Sequence, residues 1–179
     1  MIMNNESNRV KSLTAAAVCL ALCMVLPFLT GQIPQVGAAL SPMHIPVLLA
    51  GFIAGPFYAA AVGLIAPGLR FMLFGMPPLM PTGVAMTFEL AVYGLVSGLM
   101  YRALPKNNIS IYVSLITAMI AGRIVWGIVR AFISGVTGLP FTVEMFIAGA
   151  LLNAIPGIIV HIALIPIIVI ALKKAGYLH

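Results

Sequence analysis

The sequence predicts an all-α integral membrane protein: six transmembrane helices, the second one short, with the N and C termini cytoplasmic. Three observations carry that expectation. First, the 179-residue chain is 63% hydrophobic and only 7% charged, with a mean hydropathy of +1.18. A soluble fold of this size cannot bury so much apolar surface. Second, the apolar runs are long and lack the period-two alternation of barrel strands. Helices are then the remaining way to satisfy backbone groups in lipid. Third, Lys and Arg cluster as Arg9 with Lys11, Arg102 with Lys106, and Lys173 with Lys174. Six spans put all three clusters on one side, which the positive-inside rule makes the cytoplasm.

The spans read in order as residues 11–29, 43–54, 57–74, 82–101, 109–134 and 142–172 of one transmembrane domain, 1–179. Span 1 follows Arg9 and Lys11. The run Ser12 to Leu26 also has the form of a signal peptide, with Gly37, Ala38 and Ala39 as a small-residue zone. Its length, and the inside placement of Lys173 and Lys174, favour a retained first span. Span 2 is only about a dozen residues and stops at Gly55-Pro56. Span 3 ends before Gly75-Met76-Pro77-Pro78-Leu79-Met80-Pro81, whose prolines remove donors and crowd the preceding turn. Span 4 leads to Arg102 to Asn108, the most polar internal loop. Span 5 ends at the turn Gly135 to Pro140. Span 6 contains Pro156 and Pro166, which predict kinks.

Arg70, Glu89, Arg123, Arg130 and Glu144 lie inside or at the ends of these spans. A charge at the bilayer centre costs about 2.5–3.5 kcal/mol even on the mildest scale, so such residues pair, line a wet cavity or hold a ligand. At about 1.5 Å per residue, all five fall in the outer half. Arg123, Trp126 and Arg130 share one face of span 5. Thr82, Met86, Glu89, Tyr93 and Ser97 share one face of span 4. Both stripes should face the bundle interior. Three arginines against two acids leave a surplus positive charge, which suits a carboxylate or phosphate on a ligand.

Other features read as structural. Cys19 and Cys23, one turn apart, are small buried side chains rather than a metal site or disulfide. His44 and His161 show no metal-ligand spacing and read as hydrogen-bonded structural groups. Ala17 and Ala21 form a small-xxx-small pair that lets another helix approach. The net charge of +6 is a topology signal here, not a nucleic-acid footprint. HExxH, GxSxG, Walker and CxxC motifs are missing, so no enzyme is expected.

Taken in order, several segments resemble a known family. They are Leu13-Thr14-Ala15-Ala16-Ala17-Val18-Cys19-Leu20-Ala21-Leu22, His44-Ile45-Pro46-Val47-Leu48-Leu49-Ala50-Gly51-Phe52-Ile53-Ala54-Gly55-Pro56, Gly75-Met76-Pro77-Pro78-Leu79 and Glu89-Leu90-Ala91-Val92-Tyr93-Gly94. Over nearly its whole length the chain resembles the substrate-binding S component of an energy-coupling factor (ECF) vitamin transporter. The resemblance implies a bacterial plasma-membrane subunit that captures a micronutrient from outside and topples to release it inwards. It implies docking through Ala17 and Ala21 on a membrane coupling protein (the T component), driven by two cytoplasmic ATPases. ATP is then used by those partners, and this chain binds no cofactor or metal. The loop after span 1 would act as a gate. Ligand contacts would come from the outer parts of spans 4 to 6, here Glu89, Tyr93, Arg123, Trp126, Arg130, Glu144 and Asn153; the depth argument adds Arg70. The His-Ile-Pro and Gly-Met-Pro-Pro segments suggest pantothenate, or a cobalamin precursor such as dimethylbenzimidazole or α-ribazole, and the arginines favour pantothenate. The alternative is a self-sufficient proton-coupled carrier of a small organic acid using Glu89, against which the lack of an inverted repeat counts.

Overall fold

Helices account for all the regular structure among the described residues. The computed structural model describes residues 2–30, 33, 37, 39–150 and 152–178, with residues 2–8 and Thr30 described by their backbone alone. Part of the expected gate loop, including Gly31, Pro34 and Ala38, lies outside the described residues.

The helices are α1 (Ile2–Val25, extended by a 3-10 turn Leu26–Thr30), α2 (His44–Ile53), α3 (Pro56–Phe74), α4 (Val84–Ala103, entered through a π turn Leu79–Gly83), α5 (Asn108–Thr137), α6 (Val143–Ala150) and α7 (Ile155–Lys174). Five segments are long and apolar enough to cross a membrane, and α2 is a shorter apolar helix. The last of the five is interrupted. A 3-10 turn, Leu152–Ala154, separates α6 from α7, just before Pro156. Proline lacks the N–H that would continue the preceding helix.

Local chemistry sets the helix ends. Gly75 and Gly138 take left-handed backbone angles after α3 and α5 (φ 70° and 71°), and their N–H groups close back on Phe71 and Ser134. Glycine meets no steric penalty there. Asn107 caps α5, its side chain accepting 2.8 Å hydrogen bonds from the Ser110 N–H and hydroxyl, which satisfies donors a helix start otherwise leaves free. Pro67 and Pro166 sit inside α3 and α7.

α4 is the hub, packed on α2, α3 and α5, while α2 touches α1, α3, α4 and α7. At ten residues α2 is about 15 Å long, half of a bilayer core. Eight of its ten residues are buried, so it is a plug inside the bundle and its first residue, His44, starts well within it. Lipid tails are as apolar as leucine, so close packing and small residues hold such helices together. Gly51, Gly94 and Gly98 let the backbones of α2, α3 and α4 meet: a Cβ on Gly94 would lie 2.6 Å from the Ala59 carbonyl.

Gly94→Ala should therefore cost about 1–3 kcal/mol through overpacking. Gly68→Ala, at a helical position with nothing within 4 Å, should be neutral or slightly stabilising. Thermal or denaturant unfolding in micelles checks this, and equal losses at both sites would contradict the packing described.

Candidate functional site

α4 carries Glu89 into the middle of the bundle, where it is 1% exposed. α5 brings Arg123 alongside it, with Nη1 3.0 Å from Glu89 Oε1. The second carboxylate oxygen faces His44 Nε2 at 3.6 Å. Tyr93, one turn along α4, is buried and interacts electrostatically with both members of the pair. Its ring lies edge-on to His44 at 5.2 Å. Gly122 makes room for it, because a side chain there would run into the Tyr93 ring. His161 of α7 stacks on His44, ring centroids 6.0 Å apart.

Above this group opens a cavity of about 470 Å³, within the usual range for small-molecule sites of about 300–1,000 Å³. Its polar wall includes His44, Glu89, Arg123, Arg70 and Asn153. Its apolar wall includes Met76, Pro77, Pro78, Met86 and Trp126. Ile33, Gly37 and Ser41, which follow α1, border it too. The 3-10 turn between α6 and α7 delivers Asn153.

Arg70 has a second attachment. It is 3% exposed and Nη1 donates to the Met24 carbonyl at 2.6 Å. That carbonyl belongs to the last turn of α1, where a cation also complements the helix dipole. The guanidinium packs against both Phe28 and Phe74, 5.3 and 5.1 Å from their ring centres, and the two rings meet edge-on at 5.0 Å. Arg70 thus ties the end of α1 to the cavity wall.

Of the sequence-predicted residues, Arg70, Glu89, Arg123, Trp126 and Asn153 line the cavity. Tyr93 supports its floor. Arg130 and Glu144 are placed elsewhere. Arg130 stands 5.9 Å from the Trp126 ring centre and 5.2 Å from that of Phe141, in a cation–π arrangement that braces Trp126 from behind. Glu144 is solvent- or lipid-exposed in the first turn of α6. The five charges therefore do not share one lining: depth along a span says nothing about which way a side chain faces.

Sequence reasoning read His44 and His161 as structural and did not place His44 in the cavity wall. Span 2 was too short to cross, so its first residue had to begin within the bundle; that was the available signal. Several polar atoms here are buried without a hydrogen-bond partner among the described residues: both His44 ring nitrogens, Glu89 Oε1, Arg123 Nε and His161 Nε2. The Glu89–Arg123 contact is close but poorly aligned. Unmet buried polar groups are costly, and they mark this floor as able to accept and donate hydrogen bonds.

Among the described residues, a multi-pass bundle of apolar helices thus holds a mixed polar and apolar cavity of small-molecule size between them. A family model for the ECF transporter substrate-specific component matches residues 11–172, and the chain belongs to that family. No curated protein and no solved structure matches it.

Glu89→Leu leaves Arg123 buried without its counter-charge and should lose about 3–5 kcal/mol, while Glu89→Leu with Arg123→Met should recover most of that loss. Unfolding of the single and double variants in micelles measures the difference. Simple additivity of the two single losses would show that the pair does not interact.

Proposed function

We propose that this chain captures a small vitamin or vitamin precursor for an ATP-driven importer of the bacterial plasma membrane, with pantothenate, which bears a carboxylate, the first choice and a cobalamin precursor the second. The observation that carries this reading is the cavity floor. Arg123 and Arg70 both line the cavity against a single carboxylate, Glu89, so the lining keeps a surplus positive charge. A ligand carboxylate complements it, because guanidinium presents a planar fork of donors. Glu89 and His44 then meet the hydroxyl and amide groups of the ligand, and Trp126 with Met86 and the Pro77-Pro78 segment covers its apolar part.

The bundle's orientation supports capture from outside. Ser12, Arg102, Lys106 and Tyr177 border a hollow at one end, and the Lys173 ammonium donates to the Lys106 carbonyl. The basic clusters thus gather at the end opposite the cavity, which the positive-inside rule assigns to the cytoplasm. Both termini are cytoplasmic in this reading. In this reading Ile33, Gly37 and Ser41 border the outer side of the cavity, and Arg70 holds the end of α1 beside it through Met24.

Transport needs partners in this reading. Ala17 and Ala21 lie on the exposed face of α1, while Ala16, Cys19 and Cys23 face inward. That small-residue face is free to pack against the membrane coupling protein, whose two ATPases supply the energy. The chain itself performs no catalysis and binds no cofactor.

Trp126 is the single tryptophan, so its fluorescence reports on the cavity directly. Pantothenate should change that signal saturably. Arg123→Ala should weaken binding about 10- to 100-fold, as expected for a charge-assisted hydrogen bond, and Arg102→Ala should leave it unchanged. Equal losses at Arg102 and Arg123 would place the ligand elsewhere. Calorimetry should find Ala17→Trp and Ala21→Trp with normal ligand affinity, while vesicle uptake with the coupling protein and ATPases should be abolished. Lost binding in those variants would remove the docking role.

A further inference from the structure

At the end of the bundle opposite the cavity lies a hollow of about 250 Å³, and its walls are mainly polar. It forms where the α2–α3 corner, the α4–α5 loop and the segment after α7 meet. The vitamin reading makes no use of it. Arg102 lies across Gly55, where a Cβ would come 3.0 Å from the guanidinium carbon; Gly55 also has φ 96°, which favours glycine. Lys106 Nζ stands 3.9 Å from the Tyr101 ring centre and donates to the Tyr101 carbonyl at 2.6 Å. Lys173 reaches the Lys106 carbonyl from α7. No carboxylate lines the hollow among the described residues. Partial burial, then the neighbouring charges of Arg102 and Lys173, push the Lys106 ammonium below its usual value, so mutual repulsion there is not relieved within the chain.

Tyr101 supplies an independent observation. It lines the hollow, is 4% exposed, and its hydroxyl is buried without a hydrogen-bond partner. A buried hydroxyl left unmet is unfavourable, and a turn of the Tyr101 side chain towards the hollow would let an acceptor seated there satisfy it. The apolar surroundings indicate where that acceptor comes from. Tyr177 and Ile109, at the hollow and beside its basic loop, are 77% and 71% exposed, and α4 and α7 end here. Acyl chains would lie along these side chains with the headgroup at the level of Arg102 and Lys106.

We propose that this hollow is a binding site for the phosphate of an anionic phospholipid, held by Arg102 and Lys106 and by the Tyr101 hydroxyl. A lipid seated there would add a further bridge between the α2–α3 corner, the α4–α5 loop and α7, beside the Phe52–Tyr101 ring contact and the Lys173–Lys106 hydrogen bond.

Native mass spectrometry of the full chain, released from bilayers of equal phosphatidylglycerol and phosphatidylcholine, tests the assignment. The wild type should retain phosphatidylglycerol preferentially. Arg102→Gln with Lys106→Gln should reduce that retention roughly tenfold or more, as loss of charge-assisted contacts implies. Tyr101→Phe keeps the ring and the fold and should still reduce it severalfold; a purely structural tyrosine would leave retention unmoved. Arg9→Gln with Lys174→Gln removes the same charge outside the hollow and should retain lipid as the wild type does. No preference in the wild type, an equal loss in that control, or displacement of the lipid by millimolar inorganic phosphate would each overturn the proposal.

Discussion

The contact between Glu89 and Arg123 is the constraint on which the rest of the site depends. Either charge alone in an apolar bundle is expensive, and their pairing at 3.0 Å makes both tolerable at the cavity floor. The neighbouring structure is arranged around that pair. Gly122 is small so that Tyr93 can lie beside it. α2 is short so that His44 begins next to the carboxylate. α6 and α7 are separated by a turn so that Asn153 reaches the rim. The pair is also imperfectly aligned, and buried donors and acceptors remain beside it.

The two arginines of the lining do different work. Arg123 is fixed to the floor by its acid. Arg70 is fixed to the end of α1 by the Met24 carbonyl and by Phe28 and Phe74. A ligand anion placed between them would touch the rigid α4–α5 core on one side and the end of α1 on the other. Under the proposed function, that geometry would link occupancy of the cavity to the end of α1, the helix that also carries the exposed Ala17–Ala21 face.

Much of the architecture was legible in the sequence because lipid leaves few choices. Long apolar runs have to be helices, prolines and glycines mark where they stop, and basic pairs mark one face. The apolar helical class followed from those signals alone. Intramembrane charge drew attention to Arg70, Glu89 and Arg123, and these three line one cavity. Direction around each helix was less legible. Arg130 shares a face with Trp126 by spacing, yet its long side chain reaches back to the aromatic rings instead of the cavity. Glu144 was at the right depth but on the exposed start of α6. The place of His44 in the cavity wall follows from a short helix starting inside the bundle, a tertiary fact that periodicity does not encode.

The most direct test is an experimental structure of the protein with whatever small molecule copurifies with it, identified by mass spectrometry from the same preparation. The account predicts an acidic micronutrient in the cavity, its anionic group within hydrogen-bonding distance of Arg123 or Arg70, a hydroxyl or amide at Glu89 or His44, and its apolar part against Trp126. A ligand bound outside this cavity, with the Glu89–Arg123 floor untouched, would contradict it.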